Sequence, residues 1–465
     1  MHKELADFSI KYLQKKGADY AEARLESRSS NSFMLKDGNL DASSFDNSAG
    51  LGIRFSINNS LGFMAANQLS KDHIKKQLDK AIRLTKRSSK LAEKVEFSQE
   101  QIQKKSYKVK QIKDVREISP EEKIKILTDL DKSINPQHGY YSLSDKLVKK
   151  YYINTEGSRI YSEIPTINFF YLITLIESNK SIQRMHQYGT STGYEAIKKW
   201  ELEKNIGEEI ATLRTNMIKG IKVPKGKVDV ICAPEVTGIA THESCGHPYE
   251  ADRIFGRESA QAGESFVTQD MLGHKIGNEN VTVIDDPTLK GKYGFYLYDD
   301  EGVKARKKVL MKNGIINEFL HNRDTASQLG VKSNGSARAN HFSVEPIVRM
   351  SNTYIEKGDL KEEELIKDIK KGVYIKNFME WNIDDKRYQQ KYVGNEAYLI
   401  EKGELTKPVR SPILEITTPA FWSAIDGVAD NLKFFAATCG KGEPMQGIPV
   451  TTGGPSIRLR GIKLR

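Results

Sequence analysis

His242-Glu243-Ser244-Cys245-Gly246-His247 reads H-E-x-x-x-H, two imidazoles bracketing a carboxylate. The common H-E-x-x-H pattern sets two metal ligands at i and i+4 on one face of a helix, with the Glu between them acting on water. Here the second His comes at i+5. At about 100° per residue, that is roughly 140° round a regular helix from the first. Either the helix is locally unwound or the two rings point apart and hold nothing. A π-type bulge accommodates one extra residue in a turn and would return His247 to the side of His242. Gly246, immediately before the second His, is where the backbone can relax. An apolar run over 228–232 and then Pro234 precede the motif, so the segment is expected to be a strand-to-helix unit.

Working outward, Ile221-Lys222-Val223-Pro224-Lys225-Gly226 is punctuated by Pro and Gly and marks a boundary. It divides the chain into an α/β domain over 1–222 and a mainly-β domain over 223–465 that carries the motif helix, α+β overall. In the first part, residues 5–15 pattern as an amphipathic helix. Ala21, Ala23 and Leu25, then Leu51, Ile53, Phe55 and Ile57, alternate with other residues on either side of turn signals, as antiparallel strands with one buried face do. Ser70 caps a Lys-rich helix to about 87, and residues 88–117 read as a connection. Ser119 and Pro120 open another helix, strands follow at about 139–155 and 165–176, and a helix covers about 202–219. Beyond 265 the pattern is of short strands, among them a hairpin turned by Asn313-Gly314, with a helix near 361–371.

At 465 residues the chain is long enough for two or three cores. Its 38% hydrophobic and 29% charged composition is that of a water-soluble globular protein. No apolar run reaches the ~18–20 residues of a membrane span, and the first residues lack a signal-peptide core. The three cysteines, Cys232, Cys245 and Cys439, are too few and scattered for a disulfide framework. A cytoplasmic, membrane-free protein is expected. The net charge of +11 is spread over many lysine-bearing segments, a solvated surface rather than a specific nucleic-acid footprint.

A catalytic zinc takes three protein ligands and keeps one open position, and the spacing leaves the third ligand open. Cys245 stands three residues from His242, Glu250 stands three residues from His247, and Cys439 lies in the Gly-flanked stretch Thr438-Cys439-Gly440-Lys441-Gly442. A buried Cys often only packs. Asp299-Asp300-Glu301-Gly302 suggests a second metal but reads more simply as a turn. Arg349 and Asn352 suit either substrate contact and oxyanion stabilisation or ordinary structural pairing. His341, in the same polar segment, is set aside. The Gly-rich Thr451–Pro455 stretch lacks phosphate-loop spacing.

His242–Asp252, Asp299–Gly302, Arg349-Met350-Ser351-Asn352-Thr353 and Cys439-Gly440-Lys441 together resemble the TldD/PmbA family of metalloproteases. The likeness covers most of the chain and is strongest from about 227 to 465. It points to the TldD branch, because the TldE/PmbA-type partner lacks the histidine ligands. The resemblance implies a Zn2+ held by His242, His247 and Cys439, the last in a C-terminal loop, with Glu243 as general base. Cys245 then falls at a variable, packing position, and Glu250 and Asp252 fall at acidic positions suited to orienting a ligand imidazole. The implied activity is zinc-dependent hydrolysis of short or unfolded peptides admitted to an enclosed cavity. The implied assembly is a dimer, with a TldE/PmbA-like partner subunit or a second copy. The competing reading is a metal-stabilised, non-catalytic binding subunit, but Glu243 between the histidines favours the enzyme, since a closed structural site has no use for a base.

Overall fold

Long antiparallel strands dominate the first half. In spatial order, Ser60–Ala66, Asn39–Ile57, Tyr20–Lys36, His138–Asn154 and Arg159–Glu177 form the body of a seven-stranded sheet. Lys104–Lys108 runs parallel to the start of Arg159–Glu177, and Lys180–Thr190 runs antiparallel to the rest of it. The structure is a computed structural model that describes residues 1–91, 93–256 and 264–465. Helices Lys3–Lys15 and Lys71–Ser88 cover one end of one sheet face, over Leu25, Leu51, Ile53 and Phe55. Helices Pro120–Ile134 and Leu202–Lys219 cover the other end, over Phe33, Leu143, Phe169 and Tyr171. Ser70 and Ser119 cap two of these helices through their side chains, each accepting from the backbone N–H three residues on.

The opposite sheet face departs from the expectation of one buried side. Its alternate positions are charged yet buried: Glu22, Arg24, Glu26 and Arg54 are each at most 4% exposed. The second half of the chain covers them. Arg54 pairs with Glu22 at 2.8 Å and with Glu301 at 2.5 Å, and Arg323 donates to Tyr20 Oη and to Glu156. Gly50 and Gly52 sit where a Cβ would lie 2.1 Å from Phe342, so glycine there lets the two halves approach.

The second half is built around two six-stranded sheets. One runs Ile315–Ile316, Lys308–Lys312, Val283–Asp285, Asn352–Ile355, Gln446–Gly454 and, at its edge, Lys433–Lys441. The other has Lys227–Cys232 between Lys371–Ile375 and Ile457–Lys463. Helix Pro234–Thr241 leaves that central strand and packs on Gln446–Gly454. Among the apolar residues between these layers are Val230, Val236, Cys245, Tyr249 and Trp422.

Several expectations shift. The strand-like runs near 21–25 and 51–57 extend into one hairpin turned at Asp37-Gly38. Its Ser- and Asn-rich middle has no apolar alternation to announce it. The connection over 88–117, of which residue 92 lies outside the described residues, contains strand Lys104–Lys108, whose side chains are mostly exposed. The helix near 361–371 is only Glu362–Lys367, and Lys371–Ile375 is a strand. Cys439 lies not in a loop but on strand Lys433–Lys441, opposite Ile448. Asn313-Gly314 does turn a hairpin, with both residues at positive φ.

Candidate metal centre

The extra residue in the motif is absorbed by a π-helical turn over His242–Gly246, closed by the His247 N–H donating to the His242 carbonyl. That bond joins the two histidines across five residues and brings their rings edge to face, with centroids 4.8 Å apart. Gly246 matters for a reason other than backbone freedom: its φ is −56°, ordinary for any residue. A Cβ there would fall 1.8 Å from Met350 Sδ. Glycine is demanded by the approach of Met350 to the turn.

His242, His247 and Cys439 are all buried, and their ligand atoms lie within 4.8 Å of one another. Cys439 Sγ is 3.4 Å from His247 Nε2. A tetrahedral zinc with ordinary Zn–S and Zn–N bonds needs about 3.5 Å between such atoms. His242 Nδ1 is buried with no hydrogen-bond partner, so the protein alone leaves this imidazole unsatisfied. Burial holds His242 below the ordinary imidazole range, which keeps it neutral, as a ligand must be. Burial pushes the Cys439 thiol up, but His247 and Arg349 outweigh it and bring the group down to about 7. A neutral imidazole and an accessible thiolate suit zinc.

Behind these three side chains stands a buried ionic layer. His247 Nδ1 meets Glu250 Oε2 at 3.0 Å, and the same oxygen receives Arg253 Nε at 2.8 Å and Lys441 Nζ at 3.3 Å. Lys441 also donates to Asp252 at 2.6 Å and to the Val348 carbonyl at 2.9 Å. Burial opposes the charge of Glu250, yet Lys441, His247 and Arg253 hold its carboxyl well below the usual range. Glu250 therefore orients the His247 ring, whereas Asp252 acts one step further out, through Lys441. Lys441 is two residues beyond Cys439, so one strand supplies both a candidate ligand and the cation that fixes the Glu250 carboxylate.

Glu243 projects into the same cavity, of about 260 Å³, which His242, His247, Cys439, Phe378, Trp381 and Arg387 help to line. Arg387 donates to Glu243 Oε2 at 2.5 Å. Burial raises the Glu243 carboxyl, but His247, Arg387 and His242 together bring it below the usual value, so it stands ionised. Arg387 has φ +63°, a conformation a non-glycine side chain rarely takes. Met185, His186 and Gln187 reach the cavity from the first-half sheet. Arg184 anchors that wall, pairing with Glu209 at 2.8 Å and Glu235 at 2.7 Å.

The other singled-out residues fall elsewhere. Cys245 packs in the apolar core, and burial drives its thiol well up. Arg349 is fully buried and neither lines the cavity nor makes an ion pair among the described residues. It donates to the carbonyls of Cys439 and Gln446 and so holds the hairpin that carries Cys439. Asn352 ties Gly294 N–H to the Asp286 carbonyl. Asp299–Gly302 is a turn, with Gly302 at φ +74°. Arg387 had no signal in the sequence, and Lys441 stood out only as part of the Cys439-Gly440-Lys441 stretch, with no role attached, because each acts across the fold on a motif residue.

The sequence matches models of three successive family segments: the PmbA/TldA metallopeptidase domain 1 over 21–88, the central domain over 113–218 and the C-terminal domain over 225–465. It is 34% identical to a metalloprotease of Methanocaldococcus jannaschii over 95% of this chain and 96% of that one. It is 28% identical to a zinc metalloprotease TldD homolog of Saccharolobus solfataricus, over 76% of this chain and 77% of the relative. The fold matches that of TldE from Thermococcus kodakarensis with a TM-score of 0.75 over 99% of both chains at 18% identity. The donor cluster, the relative matched over nearly its whole length and the three matched segments converge: the chain belongs to the PmbA/TldD family of metallopeptidases.

Proposed function

We propose that this chain is a zinc-dependent peptidase in which His242, His247 and Cys439 hold the metal and Glu243 is the general base. The reading is carried by one observation: three buried, metal-competent donor atoms within 4.8 Å of one another share a cavity with an ionised carboxylate. Zinc held there would supply Lewis-acid chemistry, acidifying water towards pKa ~7 and polarising a peptide carbonyl. Glu243 accepts the proton from the attacking water and returns it to the leaving amine. Arg387 keeps Glu243 ionised and pointing into the cavity while it waits for that proton. Glu250 fixes the ring of His247, and Arg349 fixes the strand of Cys439.

The cavity walls suit an extended peptide. Lys433–Lys441 and Phe378–Ile383 are edge strands of their sheets, and both contribute cavity residues. A peptide added along such an edge gains main-chain hydrogen bonds with little dependence on its sequence, which fits short or unfolded substrates. The first-half and second-half domains, divided near 222, close on that substrate from two sides. A TldE/PmbA-like subunit or a second copy completes the assembly, and the setting is cytoplasmic. The test is zinc content and hydrolysis of unstructured peptides by the purified chain, alone and with a TldE-like partner. Stoichiometric zinc without cleavage in either form would favour the non-catalytic binding subunit.

A further inference from the structure

A second cavity, of about 390 Å³, lies against the same face of the first-half sheet. Ser162, Ile164, Thr166 and Asn168 face it in alternation along strand Arg159–Glu177, and Phe170, the next residue in that series, lines the catalytic cavity. On the other side, Ile448 and Pro449 face the second cavity and pair in register with Cys439 and Thr438. Gln187 stands between the two spaces and donates to Asn168 Oδ1 at 2.5 Å and Thr438 Oγ1 at 3.0 Å. The cavities are therefore consecutive stations along one strand.

Glu26, Asp145, Asp299 and Asp300 line the second cavity together with Arg28, Lys146, Lys150 and Arg338, and most of them are already engaged. Arg28 pairs with Glu26 at 2.6 Å, Lys150 pairs with Asp300, and Asp145 is taken by Lys123 at 2.6 Å. Asp299 accepts three backbone N–H bonds, and burial followed by repulsion from Glu301 drives its carboxyl well up. Two cations remain. Lys146 makes no hydrogen bond or ion pair among the described residues, and Arg338 donates only to the carbonyls of Met350 and Pro449. Burial and the nearby Arg28 push the Lys146 amine down to about 8, against the opposing pull of Glu26 and Asp46. A partly desolvated cation without an ion-pair partner is costly, and an anion entering the cavity would relieve that cost.

We propose that this cavity is a subsite for a carboxylate of the peptide substrate, received by Lys146 and Arg338 about four residues from the bond that is cut. The register sets the spacing. Thr166 is the cross-strand neighbour of Lys146 and stands four positions before Phe170. Four residues of extended chain span about 13 Å at about 3.3 Å each, and an extended peptide advances at the same pace. The carboxylate belongs either to an Asp or Glu side chain or to the free C-terminus. The subsite rests on the peptidase reading for its substrate but not for its charge.

The test uses zinc-loaded protein carrying Glu243→Gln, so that peptides stay intact, and fluorescent peptides in which one Glu is walked along a neutral sequence. Each is paired with its Gln counterpart, and a free C-terminus is paired with a carboxamide. Binding should favour the acid by about tenfold or more at one position. The Glu/Gln pairs and the acid/amide pair show which source of carboxylate is read. The preference should vanish in Lys146→Gln and turn against acid in Lys146→Glu. Equal binding of acid and neutral peptides at every position overturns the subsite, as does a preference that survives both Lys146 variants. Cleavage of the same peptides by protein with Glu243 intact is scored separately. A preference without any cleavage breaks the peptidase reading and leaves the anion site standing.

Discussion

Two stretches of the second half carry side chains that could ligate a metal, and among the described residues only one of them gathers its donor atoms together. Around Asp299–Glu301, every carboxylate is already spoken for. Asp299 accepts from the backbone of Glu301, Val303 and Ala337. Asp300 takes Lys150 and the Ala339 N–H, and Glu301 takes Arg54 and the Arg323 N–H. That cluster clamps the two halves of the chain together. At His242, His247 and Cys439 the arrangement is reversed. The surrounding charges engage the far side of one histidine, through Glu250, while the donor atoms face one another and the cavity. Residue type makes a site conceivable, but the lone pairs left unclaimed by the protein decide whether it can bind.

The largest expected effect separates chemistry from metal retention. Glu243→Ala should keep zinc and lose about 10²–10⁴-fold in peptide turnover. Metal analysis showing zinc lost in parallel would sink the base assignment. On the clamp side, Arg54→Met removes the cation between Glu22 and Glu301. It should cost about 3–5 kcal/mol of stability in denaturant titration while zinc stoichiometry stays at the unaltered level. A zinc defect there would erase the contrast between the two clusters.

Smaller effects test the inner arrangement. Cys439→Ser should lower zinc affinity by more than Glu250→Gln, for which about 10–100-fold is expected because it acts through His247. Competition with a chelator of known affinity measures both, and the reverse ranking would move Glu250 into the ligand set. Smallest of all, Cys245→Ser should leave zinc affinity unchanged although the residue lies inside the motif. A loss comparable to that of Cys439→Ser would transfer the third ligand to the helix.

Much of this was legible in the sequence wherever one element carried the signal. The five-residue spacing of the histidines anticipates a π turn, because the ring positions follow from local helical geometry. The caps at Ser70 and Ser119 and the Asn313-Gly314 hairpin are likewise local. The long Ser- and Asn-rich strands were not legible, because their middle stretches are largely exposed or half-buried and carry no apolar alternation. Nor was the role of Gly246, which answers to Met350, over a hundred residues away.

By itself, then, the sequence determined the motif, its departure from a regular helix and a family likeness strong enough to nominate Cys439. Only the tertiary structure placed Cys439 Sγ 3.4 Å from His247, set Lys441 behind Glu250, brought Arg387 to Glu243 and left Lys146 without an ion pair among the described residues. Each of these joins residues distant in the chain, and their energies depend on burial and on competing partners. A linear pattern does not encode those quantities, because they exist only once the sheets have packed.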